Sequence, residues 1–192
     1  MLKRLYDRIL EIAAGPNALP ALLIVSFAES SFFPIPPDIL LIPMILARPR
    51  DAFRLAAYCT LASVAGGLVG YAIGYFLFDA IGRPILEFYG AMDRYEALKA
   101  GFQQWGVWII ILKGMTPIPY KLITIASGVA QFDLWLFVAA SIVSRSLRFF
   151  LVAALLWWFG DPVREFIERR LMLVTTLFAV GLVGGFVVLR YL

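Results

Sequence analysis

Histidine is absent from the 192 residues, and cysteine occurs once, as Cys59. The first absence removes the commonest metal ligand and the commonest general base. The second excludes an internal disulfide and any multi-cysteine metal site. Charge is scarce as well: 16% of residues are charged against 62% apolar, with a mean hydropathy of +0.87. A soluble domain carries roughly 25% charged and about 45–50% apolar residues. Too little polar surface remains to coat a globule of this size, so the composition implies an integral membrane protein. No Gly-x-Ser-x-Gly, zinc signature or Gly-rich phosphate loop occurs, which leaves an intramembrane enzyme as the weakest functional class. Aromatic residues are plentiful, with 16 Phe, 8 Tyr and 5 Trp, as suits membrane interfaces.

The apolar segments are broken in a patterned way. Residues 1–14 set Leu2, Leu5, Ile9 and Ile12 against Lys3, Arg4, Asp7, Arg8 and Glu11 at helical spacing, predicting an interfacial amphipathic helix. The N-terminus has the outline of a signal peptide, but Pro16-Asn17 and Pro20 interrupt it and no small-x-small cleavage site follows; retention is expected. Residues 19–47 are nearly all apolar, yet Pro34, Pro36 and Pro37 cut them into two pieces. Proline removes backbone donors and pushes the preceding residue out of the helical region. Pieces of about 15 and 10 residues, at ~1.5 Å per residue, fall short of the ~30 Å hydrocarbon layer. Unwound backbone at that depth survives only when buried in protein or lining a wet cavity. Residues 19–47 therefore read as a re-entrant hairpin, with one proline-kinked transmembrane helix as the alternative.

Residues 55–78 hold no charge and predict a full span. Gly66, Gly70 and Gly74 recur there at four-residue spacing, a surface for close helix approach. Residues 79–104 form a polar interfacial segment. Residues 105–130 read as a second re-entrant hairpin, broken near Pro117 and Pro119. Residues 134–159 and 171–190 are long enough to span.

The hairpins echo one another. At an offset of 83 residues, 33–47 against 116–130 gives five identities in fifteen: Pro34/Pro117, Ile35/Ile118, Pro36/Pro119, Ile42/Ile125 and Ala47/Ala130. A second match, at an offset of 78, sets Gly82-x-Pro84-x-x-Glu87-Phe88 against Gly160-x-Pro162-x-x-Glu165-Phe166. Two matches in the same order point to duplication. If each hairpin returns to its own side, nine Lys/Arg lie on the face of residues 1–15, 48–54 and 160–170, and four lie opposite. If both crossed, the bias would vanish, so the positive-inside rule favours re-entry with a cytoplasmic N-terminus. One crossing then separates the units and inverts them, a transporter arrangement. The predicted fold is a single all-α integral membrane domain: an inverted repeat of re-entrant hairpin plus transmembrane helix, with a final C-terminal transmembrane helix.

Six ionisable residues fall inside apolar segments: Glu29, Asp38, Lys113, Lys121, Arg145 and Arg148. Each costs on the order of 2.5–3.5 kcal/mol at the bilayer centre, so each must pair, face water or bind something. Arg145 and Arg148 share one helical face. Four cations against two carboxylates leave a positive surplus, which invites an anion; guanidinium suits phosphate by bidentate hydrogen bonding. The bland alternative is an internal salt-bridge set pinning the hairpins together. A carboxyl in apolar surroundings can also load and release protons, making Glu29 a candidate for proton coupling.

The pattern Glu29…Pro34-x-Pro36-Pro37-Asp38, a glycine-rich helix, then Lys113…Pro117-x-Pro119-x-Lys121 and Ala126-Ser127-Gly128 resembles the DedA superfamily, the SNARE-associated or VTT-domain group, in its YqaA-like branch. The resemblance spans roughly residues 20–160. It implies a bacterial inner-membrane protein with facing re-entrant hairpins that moves lipids between leaflets. The family's acidic pair would fall on Glu29 and Asp38, and its basic pair on Lys113 and Lys121; Arg145 and Arg148 supply the guanidinium forks. The function expected is a transporter or flippase for an anionic lipid, a polyprenyl phosphate or phospholipid. A proton-coupled transporter of a small solute, with Glu29 and Asp38 as proton site, is the alternative. No cofactor is expected. The expected partners are the bilayer, an anionic lipid or small molecule, and further copies in a homo-oligomer, with no nucleic acid.

Overall fold

The computed structural model describes residues 15, 17–32, 36–90, 92–115 and 119–169. The amphipathic helix expected over 1–14, the span expected over 171–190, and Pro34 and Pro117 lie outside them.

Helix α1 (Ala18–Ser31) ends where Phe32 leaves helical geometry (φ −150°, ψ −16°), just before the proline cluster. Pro37 then seats the N-terminus of α2 (Asp38–Ala47), and Asp38 occupies its first turn, where a carboxylate complements the helix dipole. A 3₁₀ turn (Pro49–Asp51) leads into α3 (Ala52–Leu77), and a π turn (Phe78–Gly82) leads out of it to α4 (Arg83–Phe88). Helix α5 (Met92–Met115) stops at the second proline cluster, α6 (Tyr120–Val129) follows it, and α7 (Leu134–Arg169) closes the described chain.

Helices α1, α2 and α6, beside the proline clusters, are short, although α2 carries Pro43 within it and α6 ends without a proline, ahead of Gln131 at φ +53°. Helices α2 and α6 have 10 residues each and α1 has 14, about 15 to 21 Å of rise and short of a bilayer. Among the described residues, two segments are long and apolar enough to cross: Pro49–Leu77 and Leu134–Gly160. Helix α7 is interrupted at Phe159 (φ −112°, ψ 16°), three residues before Pro162, whose ring crowds the preceding turn. Helix α5 differs from the division read in the sequence: it runs unbroken through residues 104 and 105. No proline falls between Met92 and Met115, so the change from polar to apolar composition does not end the helix.

Helices α1 and α6 both pack on α3, whereas α5 packs on α7, and α2 packs chiefly on α7. Glycine sets the first two contacts. A Cβ at Gly66 would overlap the Phe27 carbonyl, one at Gly74 the Ile125 carbonyl, and one at Gly70 the Thr124 hydroxyl. Only hydrogen at these positions lets the backbones meet. Two apolar clusters fill the space between long helices, one built on Leu41, Ile45, Cys59 and Phe149, the other on Tyr71, Ile110, Tyr120 and Phe137. The outer surface is apolar too: all five tryptophans are 55–80% exposed, among many exposed Leu, Ile and Phe side chains.

Two of the helix contacts are alike. Gly66 of α3 seats against Phe27, and Ser144 of α7 donates to the Ile110 carbonyl at 3.1 Å. These are equivalent positions at the offsets of 78 and 83. The roles swap one turn on. Ser31 donates to the Gly66 carbonyl at 2.9 Å, while a Cβ at Gly114 would overlap the Ser144 hydroxyl.

Candidate functional site

The last two turns of α1 are polar in an otherwise apolar helix. Ser26, Glu29 and Ser30 share one face, at spacings of three and four, and all are buried against α3. Ser26 donates to the Cys59 carbonyl at 2.8 Å, and Ser30 lies 2.7 Å from the Ser63 hydroxyl. Into this polar seam comes Arg145 from α7, fully buried. Its Nε donates to Ser63 Oγ at 2.7 Å and its Nη2 to Glu29 Oε2 at 3.2 Å. One proton assignment closes a ring. Ser63 accepts from Arg145 and donates to Ser30, and Ser30 donates to Glu29 Oε2 at 3.2 Å. The guanidinium is held between the Tyr120 and Phe149 rings, 4.6 Å from each centroid, a cation–π sandwich. Tyr120 is anchored in turn by donating to Ser141 at 2.5 Å. Arg145 Nη1 has no hydrogen-bond partner among the described residues.

One turn further along α7, Arg148 Nη2 meets Asp38 Oδ2 at 2.6 Å. This pair is more open, with side chains 25% and 21% exposed, against 0% and 11% for Arg145 and Glu29. Charged hydrogen bonds of this kind are the strong ones, but desolvation offsets much of the gain when both ions are buried.

Lys121 lies in the first turn of α6. Its Nζ donates to the Phe32 carbonyl at 3.4 Å, at the C-terminal end of α1, where a cation complements the dipole. Thr124 donates to the Ser30 carbonyl at 3.1 Å. Lys113, in the last turn of α5, is exposed. Of the six ionisable residues read in the sequence, Glu29, Asp38, Arg145 and Arg148 thus come together as two ion pairs. Lys121 sits beside the C-terminal end of α1, and Lys113 is exposed. The four charges of the two ion pairs balance one another. Pro36, Pro37 and Pro119 flank the breaks, and Gly66, Gly70 and Gly74 seat the half-helices that carry the charges.

Ser30, Ser63, Tyr120 and Ser141 were not singled out by the sequence reading. The Ser26-x-x-Glu29-Ser30-Ser31 cluster was its available signal. Ser63 and Ser141 lie singly in apolar helices and give none.

An all-helical chain that turns large apolar side chains outward and its buried charges inward is a membrane protein of transporter-like kind. The VTT domain matches residues 35–157, and the chain belongs to that family, the DedA or SNARE-associated group. An uncharacterised protein of Haemophilus influenzae is 38% identical over 170 residues, covering 88% of each chain. An uncharacterised protein of Histophilus somni is 40% identical over 168 residues, covering 85% of this chain and 87% of its own. No solved structure matches.

Proposed function

We propose that this protein moves an anionic lipid, a polyprenyl phosphate or phospholipid, between the leaflets of the bacterial inner membrane. The observation that carries the reading is the pair of arginines on one face of α7, each engaging a carboxylate at one side of the first proline break. A phosphate competes for a guanidinium on the same geometry as a carboxylate. Beside the first proline break, Arg148 and Lys121 are more open to it than Arg145, since both are only partly buried and Arg145 is fully buried. The reading takes α1–α2 and α5–α6 as re-entrant hairpins of an inverted repeat. Helix lengths, the recurring Gly/Ser seats and the positive-inside tally support this. The N-terminus is then cytoplasmic, and no cofactor is required.

The fact that each carboxylate has an arginine partner favours a second reading, a proton-coupled small-solute transporter with Glu29 and Asp38 as proton site. Neutralising either acid would release its arginine. Purified protein in liposomes tests both. Labelled lipid phosphate should cross with wild type and not with the Arg145→Ala/Arg148→Ala variant, whether or not a pH gradient is imposed. Wild type that moves no lipid, or a double variant as active as wild type, would sink the lipid reading. Strict dependence on the gradient, lost in Glu29→Gln, would favour the second.

A further inference from the structure

The end of the α1–α2 pair opposite its proline break carries chemistry that the two ion pairs do not use. Helix α1 starts there at Ala18, α2 ends there at Ala47, and the Pro49–Asp51 turn leads into α3. Between these ends lies a cavity of about 270 Å³. Ala18, Met44 and Leu55, all buried, form an apolar floor, and Arg48, Asp51, Arg54 and Tyr58 line the rim. Asp51, Arg54, Leu55 and Tyr58 follow one another at spacings that place them on one face of the first turns of α3. Met44 and Arg48 are four apart at the end of α2, and the Arg48 N–H closes that end by donating to the Met44 carbonyl at 2.9 Å. Asp38 occupies the other end of α2. Ten residues of helix, about 15 Å of rise, therefore separate this cavity from the Asp38–Arg148 pair.

The rim stands at the depth of lipid headgroups. The first apolar segment long enough to cross begins at Pro49, so Arg48, Arg54 and Tyr58 lie where hydrocarbon gives way to water. Guanidinium forks match phosphate oxygens, and a phenol adds a hydroxyl to an apolar ring at the same level. The floor below offers apolar contact to the first methylenes of a chain. The volume is just under the roughly 300–1,000 Å³ of small-molecule sites, which suits a headgroup and the start of a chain rather than a whole lipid. Asp51 is the one acid of the rim, and neither it nor Arg54 is in an ion pair among the described residues. Two guanidinium groups against one carboxylate leave the rim net positive, which a net-negative headgroup neutralises and a zwitterionic one does not.

We infer that this cavity holds the headgroup of a resident anionic phospholipid, with Arg54 and Arg48 donating to its phosphate and the Ala18–Met44–Leu55 floor meeting its first chain carbons. The lipid ties together the ends of α1, α2 and α3 at the membrane surface, and Asp51 weakens its hold by like-charge repulsion. It is distinct from any cargo at the ion pairs, and the inference does not rest on the transport reading above.

Native mass spectrometry of the delipidated full chain in detergent, titrated with dioleoylphosphatidylglycerol, tests it. Wild type should take up a first lipid in preference to dioleoylphosphatidylcholine and to glycerophosphoglycerol, the same headgroup without chains. Arg48→Gln and Arg54→Gln should each weaken that lipid about tenfold, the worth of one charged hydrogen bond. Arg50→Gln removes an equal charge from the same turn but not from the cavity lining, and screening should hold its effect to less than about twofold. Asp51→Asn should tighten binding, a gain that a misfolded variant cannot give. Arg148→Gln should leave the first lipid in place. The inference is overturned if phosphatidylcholine or the bare headgroup binds as well as phosphatidylglycerol, or if Arg50→Gln costs as much as Arg54→Gln. It is overturned equally if Asp51→Asn weakens binding or if Arg148→Gln releases the lipid. Protein that retains this lipid yet moves none in liposomes would uphold the site and reject the transport reading.

Discussion

Arg145 shows how one side chain can be both expensive and indispensable. A guanidinium without exposed surface is stable only because Glu29, Ser63 and two aromatic rings surround it. Removing one member strands the rest. Arg145→Leu should cost about 3–5 kcal/mol, because Glu29 stays buried without a counter-ion. The Glu29→Leu/Arg145→Leu double variant should recover much of that loss, and thermal unfolding in detergent would read the difference. Equal destabilisation of single and double variants would show that the pair is not coupled. Ser63→Ala should cost about 1–3 kcal/mol by leaving Nε and Ser30 short of a partner. Breaking Asp38–Arg148 should cost less, about 1 kcal/mol, since both side chains are partly exposed.

Among the helices, two uncrowded glycines make opposite predictions. Gly90 follows α4 with φ +61° and has nothing within 4 Å of a built Cβ. Gly90→Ala should therefore destabilise by about 1–2 kcal/mol through backbone strain alone. Gly101, inside α5 and equally uncrowded, is a glycine in an ordinary helical turn, and Gly101→Ala should stabilise by about 0.8–1.0 kcal/mol. Gly74→Leu should be far worse than either, because the side chain would have to enter the Ile125 backbone; loss of monodisperse protein on gel filtration is the expected readout. The single Pro43 is carried inside α2, whereas the breaks before α2 and α6 were legible in the sequence, because clustered prolines remove donors and restrict the preceding residue. The continuity of α5 was not. Composition changes at residue 105, but a helix ends only where its hydrogen-bond ladder is interrupted, and nothing between Met92 and Met115 interrupts it.

For the molecule as a whole, the charge tally makes a prediction about sidedness. With Cys59→Ala as background, Arg50→Cys should react with an impermeant thiol reagent only from the cytoplasm, and Arg94→Cys only from outside. Crossing hairpins would give the reverse pattern and end the re-entrant reading. The sequence alone determined the membrane solvent, through the shortage of charge; the breaks before α2 and α6, through clustered proline; and the list of ionisable groups that the apolar segments must accommodate. These follow from composition and local backbone chemistry, which need no partner. The tertiary structure decided which acid meets which base. Helix rotation about α3 and α7 sets that pairing, and the rotation is set by contacts as distant in sequence as Gly66 with Phe27 and Gly70 with Thr124. That rotation directs Arg145 into a ring of hydroxyls and rings, leaves Arg148 partly exposed, and leaves Lys113 at the surface. Counting charges along the chain cannot see it, because the same six residues at the same spacings would give a different site on helices turned by a fraction of a turn.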